Sequence, residues 1–199
     1  MKELDILYNK GIVGCDECGR GNAAGSMYVC GARLKQGVDI QDIQFADDSK
    51  KISKKKHKEM ADKLKQLVDF ELVEISPKYI DDHGISEAMN YSLNYIQNKF
   101  KDSTLIFDGN ASYKTGIKTF VKGDQRSSLI AAASIIAKDI KDTKMLEESL
   151  KYPEYGFDSN SGYLTSKHTE SIKKYGYTPI HRRSFKIKAL QGLEIKEYI

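Results

Sequence analysis

Four acidic residues in this chain stand at or just beyond the ends of short apolar runs. Asp16 and Glu17 follow Ile12-Val13-Gly14-Cys15, Asp108 follows Leu105-Ile106-Phe107, and Asp124 follows Phe120-Val121-Lys122-Gly123. Runs of that length read as buried strands, so each acid is expected at a strand end. If neighbouring strands bring those ends together, the carboxylates converge on a site that repels itself unless cations occupy it. An oxygen-only donor set with no accompanying Cys/His pattern favours Mg2+ or Mn2+ over zinc. Taken singly, each acid is equally a helix cap or a turn residue, and Asp108-Gly109 alone is a common turn pair. The combination of several such acids with a glycine-framed arginine, Gly19-Arg20-Gly21, points to metal-dependent phosphoryl transfer.

The elements that must position these residues follow from periodicity. Residues 12–16 read as a short buried strand running into the turn at Gly19-Arg20-Gly21, and residues 27–34 as a second strand, together an antiparallel opening. Residues 53–68 space Met60, Leu64, Leu67 and Val68 as a helix does, and residues 70–76 follow as a strand ended by Pro77. Residues 86–100 carry Ala88, Met89, Leu93, Ile96 and Phe100 at amphipathic helical spacing. Residues 104–108 and 117–121 are further short strands. Residues 127–144 form the most hydrophobic helix, whose Ala131-Ala132-Ala133 face suits close packing at the centre of the molecule. Residues 152–162 read as a loop, and residues 165–175 as a helix stopped by Tyr177-Thr178-Pro179. Irregular alternation of strands and helices indicates an α/β or α+β domain with a mixed sheet.

A chain of 199 residues fits one domain with a real core. At 40% hydrophobic and 30% charged residues it holds no apolar run near the roughly 20 residues of a membrane span. Its acidic opening, Met1-Lys2-Glu3-Leu4-Asp5, lacks a secretory signal, so a cytoplasmic location is expected. Cys15 and Cys18 have C-x-x-C spacing, but no second pair completes a zinc site, and with Cys30 they are expected as free thiols. The net charge of +4 is too modest to imply nucleic-acid binding by itself. Its distribution is uneven: Lys50, Lys51, Lys54, Lys55, Lys56 and Lys58 form one basic cluster, and Arg182, Arg183, Lys186 and Lys188 another. Each is ordinarily a solvated face and gains meaning only beside a catalytic site. Nothing periodic suggests a coiled coil, and a monomer is expected.

Gly14-Cys15-Asp16-Glu17-Cys18-Gly19-Arg20-Gly21 resembles the signature of ribonuclease HII, in which an Asp-Glu pair precedes a Gly-Arg-Gly loop. Asp47-Asp48-Ser49-Lys50-Lys51 is similar to the family's D-S-K-K segment, and Phe107-Asp108-Gly109-Asn110 to its third acidic motif. Lys122-Gly123-Asp124 and the run from Ile130 through Ser134 to Lys138 resemble its K-G-D and A-A-A-S-I-x-A-K block. Gly162-Tyr163 with Thr165 and His168, and then His181-Arg182-Arg183-Ser184-Phe185, match the last two motifs in family order.

The resemblance implies a ribonuclease H-like mixed five-stranded sheet flanked by helices, in a single catalytic domain spanning residues 1–199. Residues from about 150 to 199 would form a C-terminal helical substrate-binding extension. It implies that Asp16, Glu17, Asp108 and Asp124 ligate two Mg2+ or Mn2+ ions, one activating water and the other stabilising the leaving oxygen. Cleavage of the RNA strand of RNA-DNA hybrids, and 5′ of ribonucleotides embedded in duplex DNA, would then leave 5′-phosphate and 3′-hydroxyl ends. Gly19, Arg20 and Gly21 would contact the ribose 2′-hydroxyl and phosphate, Tyr163 would stack at the junction sugar, and Lys50, Ser134 and Lys138 would touch the nucleic acid. His168 and His181 are expected to be structural hydrogen-bonders. No sliding-clamp peptide is recognised near Gln191, because Glu194 falls where an aliphatic residue would stand.

Several positions depart from the family pattern. Cys18 stands for a usual alanine, Asn22 and Ser26 for prolines, and Ser161 and Leu164 for the lysine and glycine flanking the Gly-Tyr pair. The alternatives are an HIII-like nuclease preferring long hybrids, a non-catalytic nucleic-acid-binding module, and a resolvase-like nuclease acting on branched DNA.

Overall fold

The structure is a computed structural model that describes residues 1–7, 11–51 and 53–198, with Leu7 and residues 47–51 described by backbone alone. Two compact units emerge. One comprises Met1–Cys18, Tyr28–Val73 and Met89–Asp139, and the other Gly19–Met27, Glu74–Ala88 and Ile140–Ile199. The residues from about 150 onward, expected as an extension, thus belong to a unit that also draws in two segments from earlier in the chain.

The first unit is built on a sheet of strands β1 (Ile12–Cys18), β2 (Met27–Leu34), β3 (Val68–Ile75), β4 (Thr104–Asp108) and β5 (Lys118–Phe120), in the order β3-β2-β1-β4-β5. β1 pairs antiparallel with β2 and parallel with β4, which pairs parallel with β5, so the sheet is mixed and five-stranded as expected. β1 runs two residues beyond the expected strand. The ladder to β2 continues through Glu17 opposite Val29 and Cys18 opposite Tyr28, so both acids lie inside the strand instead of after it.

Missing side chains let helices close on both faces of β1 and β2. A Cβ on Gly14 would stand 2.3 Å from the Ile130 amide nitrogen and 2.4 Å from the Leu129 carbonyl carbon, both in helix α5 (Ser128–Lys151). On the other face, a Cβ on Gly31 would stand 2.5 Å from Ile96 Cγ2, in α3 (Pro77–Lys99). Alternation along a strand puts Gly14 and Asp16 on one face, so the helix that reaches Gly14 also approaches Asp16. The start of α5 is fixed from far away in sequence: buried Asp5, in the short α1 (Glu3–Leu7), accepts hydrogen bonds from the Ser128 amide and hydroxyl at 2.9 and 2.7 Å. This is an N-cap supplied by another element.

α2 (Lys54–Leu67) agrees with its periodicity and is capped by Ser53, whose side chain accepts from the Lys56 amide. A 3-10 helix, Ile40–Lys51, precedes it where no element was expected. α3 begins well before residue 86 and is interrupted at Gly84, where φ is 79°. A conformation open mainly to glycine thus separates the early helix from the part that carries the apolar spacing. α5 extends to Lys151, past the expected end; its last turns carry charged pairs such as Lys144–Glu147 and Lys151–Glu148, and their apolar residues are split between buried Met145 and exposed Leu146 and Leu150.

The second unit has its own core of Ala23, Ala24, Met145, Tyr155, Phe157, Ile172, Ile187 and Leu190, ringed by tyrosines. The expected loop over residues 152–162 contains a 3-10 turn, Pro153–Tyr155, and a short helix, Phe157–Asn160, which send Tyr155 and Phe157 into that core. The helix Ser166–Tyr175 follows, capped by Thr165.

Candidate active site

Strand register brings the first acids together. Cys15 stands opposite Phe107 across the parallel pair, so the next residues, Asp16 and Asp108, leave the ladder side by side on the same face. Asp108 then gathers the third acidic position. Its carboxylate accepts from the amides of Gly123 at 3.1 Å and Asp124 at 3.3 Å, which open the short helix α4 (Gly123–Arg126). A Cβ at residue 123 would lie 2.8 Å from Ile130 Cδ1 and 3.3 Å from the Asp108 Cα, so the glycine lets this turn come close to Asp108. Lys122 precedes it in a left-handed conformation that turns the chain onto Asp108.

Asp16 is the most enclosed of the four, 8% exposed, while Glu17, Asp108 and Asp124 are half-buried. Burial raises the Asp16 carboxyl well above the ordinary range; a hydrogen bond with the Ser134 hydroxyl opposes the rise, and the charges of Glu17 and Asp108 add to it. The Glu17 amide also donates to Asp16, at 2.8 Å. Among the described residues, no three Asp, Glu, His or Cys side chains form a closed metal-holding group. Glu17, the next residue in β1, is close enough for its charge to act on Asp16.

The other expected positions divide between the units. Ser134, expected at a phosphate, has its hydroxyl on Asp16, and Lys138 lies one turn further along α5, exposed. Lys50 carries a side chain outside the described residues, as does the rest of the Asp47-to-Lys51 motif. All three cysteines are free, and burial pushes the thiols of Cys15 and Cys30 up, leaving them inert.

In the second unit, Gly19 is buried while Arg20 and Gly21 are exposed at the crest of their loop. Tyr163 is 49% exposed, with the ammonium of buried Lys141 5.1 Å from its ring centroid. Two departures from the family pattern meet here, the Asn22 side chain donating to the Ser161 carbonyl at 2.7 Å. The Tyr163 backbone is tied to a buried histidine pair. The Thr178 amide donates to His181 Nδ1 at 2.9 Å, so the His181 proton sits on Nε2 and is given to His168 Nε2, also at 2.9 Å. His168 Nδ1 then donates to the Tyr163 carbonyl at 2.9 Å.

In the C-terminal basic cluster Arg183, Lys186 and Lys188 are exposed, as a solvated face would be, and Arg182 departs from that expectation. Arg182 is 1% exposed, and its guanidinium donates to backbone carbonyls of the Gly19 to Gly25 segment. Arg183 is paired with Glu197 and lies over the Tyr177 ring. Asp81, which sequence reasoning passed over, accepts from the Arg183 amide and from the Ser184 amide and hydroxyl. No periodic signal separates Arg182 from its neighbour Arg183 in the sequence, so a core arginine there was not legible.

The Ribonuclease HII family profile matches residues 13–188. The chain belongs to the ribonuclease HII family. Ribonuclease HII of Sulfurovum sp. (strain NBC37-1) is 37% identical over 182 residues, covering 91% of this chain and 94% of the relative. Ribonuclease HII of Clostridium beijerinckii is 40% identical over 200 residues, 96% of this chain and 73% of the relative. Among solved structures, ribonuclease H2 from Pyrococcus horikoshii superposes with a TM-score of 0.69 at 25% identity, over 88% of this chain and 93% of that one. The RNase HII of Archaeoglobus fulgidus, solved in complex with PCNA, gives a TM-score of 0.77 at 24% identity, over 86% and 92%. The ribonuclease H-like fold and a ribonuclease H endonuclease activity follow from this membership. Among the described residues no helix is long and apolar enough to cross a membrane.

Proposed function

We propose that the chain hydrolyses the RNA strand of RNA-DNA hybrids and cuts 5′ of single ribonucleotides in duplex DNA, with Asp16, Glu17, Asp108 and Asp124 as its catalytic carboxylates. The observation that carries the reading is the side-by-side exit of Asp16 and Asp108 from adjacent parallel strands, with the Asp124 backbone bonded to Asp108.

Divalent cations fit this donor set. The acids offer only hard oxygens, and the raised Asp16 pKa, caused first by burial and also by the charges of Glu17 and Asp108, is relieved by a cation set among them. Asp16, Glu17, Asp108 and Asp124 would hold Mg2+ or Mn2+, which supply charge stabilisation at phosphate oxygens and an acidified water. The chain's own groups do the rest. Ser134 holds Asp16 in place and favours its ionised form against the effect of burial, the Gly123 and Asp124 amides orient Asp108, and burial beneath α5 keeps bulk water from Asp16. Gly19, Arg20 and Gly21 approach the ribose, Tyr163 stacks on the junction sugar, and Lys50 and Lys138 meet phosphates. The second unit serves as the substrate-binding extension, and the enzyme works as a monomer.

The test is cleavage of an end-labelled DNA duplex carrying one ribonucleotide, beside all-DNA and long-hybrid duplexes, with Mg2+, Mn2+ or chelator. Metal-dependent cutting 5′ of the ribonucleotide, leaving a 3′-hydroxyl and lost in Asp108→Asn, is the expected result. Cutting of the long hybrid alone overturns the single-ribonucleotide activity, and binding without cutting overturns the catalytic assignment.

A further inference from the structure

We propose that Arg182 is a positioning residue for substrate recognition, holding the Gly19-Arg20-Gly21 loop in the shape that turns its amide groups outward to the ribose. The proposal rests on the reading of that loop as the ribose-contacting element.

The guanidinium donates from Nη1 to the Arg20 carbonyl at 2.8 Å, from Nη2 to the Gly19 and Gly25 carbonyls at 2.7 and 2.8 Å, and from Nε to Gly25 at 3.0 Å. A fully buried cation is expensive, and one spent on three carbonyls of a single loop defines that loop's geometry. Only a planar fork of donors reaches all three; a lysine supplies one nitrogen and a methionine none. Burial lowers the Arg182 pKa to about 10, with Asp81 and Tyr163 opposing, so the group stays charged at neutral pH.

The consequence for recognition comes from the planarity of the peptide. In a trans peptide the C=O of one residue is antiparallel to the N–H of the next. With the Gly19 and Arg20 carbonyls turned to Arg182, the amides of Arg20 and Gly21 are turned away from it, on the two residues of the loop that are exposed. The same clamp reaches the tyrosine. The Arg182 amide donates to Ala23, and the Ala23 and Ala24 amides donate to Gly162 at 2.9 and 3.2 Å, directly before Tyr163. At Gly162, with φ at 87°, a Cβ would lie 2.2 Å from the Ala24 carbonyl oxygen, so the two segments lie backbone against backbone there.

The experiment compares the full-length wild type with Arg182→Lys and Arg182→Met. It measures kcat and KM on a duplex with one ribonucleotide, and Ki for an all-DNA duplex as competitor in the same Mg2+ assay. Misaimed donors to a 2′-hydroxyl lose one or two hydrogen bonds, so KM rises about tenfold while kcat and Ki move by less than about twofold. Unchanged KM overturns the proposal, and so does a Ki that rises in step with KM, the mark of general loosening. Arg182→Lys decides the matter if Arg182→Met does not fold; a Lys variant that also fails to fold assigns Arg182 to the core and overturns it. A wild type whose KM equals its Ki instead refutes the ribose reading of the loop, whatever the variants do.

Discussion

Acid should loosen the second unit through its histidine pair, by an amount the structure allows to be worked out. Burial, reinforced by the charge of His168, lowers the His181 pKa from 6.5 to about 3. His168 is lowered too, by burial against the weaker opposing pull of the Tyr163 carbonyl. Neither ring can take a further proton in place. His181 Nδ1 already accepts from Thr178 and His168 Nε2 from His181, so protonation must break one of those bonds. Tyr155, Tyr177 and Arg183 face the pair, and the Arg183 charge adds to the lowering. Because the folded pKa is depressed, the unfolded chain binds more protons between about pH 3 and 6.5. Stability from this group is therefore complete above pH 6.5 and lost as pH falls toward 3. At pH 5 the His181 share of the loss is about 2 kcal/mol, about 4–8 °C in Tm for a chain of this size. His181→Gln is the reference, since an amide can donate to His168 and accept from Thr178 without titrating. Thermal unfolding of both proteins at pH 7.5 and 5 should show the wild type losing the larger amount. Parallel losses would refute the pairing.

Asp16 carries the opposite sign. Its folded pKa is raised, chiefly by burial, so the ionised carboxylate costs stability at neutral pH and that cost fades as pH falls. Asp16→Asn should abolish cleavage yet raise Tm in metal-free buffer, by about 1.4 kcal/mol for each pK unit relieved; a lower Tm at neutral pH would contradict this. Gly14→Ala should lower the urea midpoint by about 3 kcal/mol or more in stability, because the new methyl meets helix backbone at 2.3 Å and cannot be absorbed by a rotamer change. A variant as stable as wild type would show that α5 does not press on β1 so closely.

The strands and the acids were legible because a short apolar run ended by a carboxylate has few alternative readings once several occur in one chain. The register that puts Asp16 beside Asp108 was not, since pairing partners lie about 90 residues apart and leave no local mark. Asp5 shows the same limit: near the N-terminus it looks like a surface acid, yet it caps a helix 123 residues away. Ser134 and Lys138 were correctly set on one helical face, but what that face meets is a carboxylate at Ser134. Gly84 went unread because it precedes residue 86, where the apolar spacing that marks the helix begins. Arg182 is the largest miss, since arginine pairs are read as surface by default and only the carbonyl cluster around it reveals otherwise.

The distance along the chain between that arginine and its loop also orders events during synthesis. The Gly19 carbonyl waits for a guanidinium 163 positions later, and Gly25 for one 157 positions later. A ribosome has to reach Arg182 before the loop can take its final shape, while β1 and β2 can pair as soon as both have emerged. The loop is therefore made long before it matures, and a nascent chain stalled ahead of Arg182 would hold Asp16, Glu17, Asp108 and Asp124 while the loop still lacked its shape.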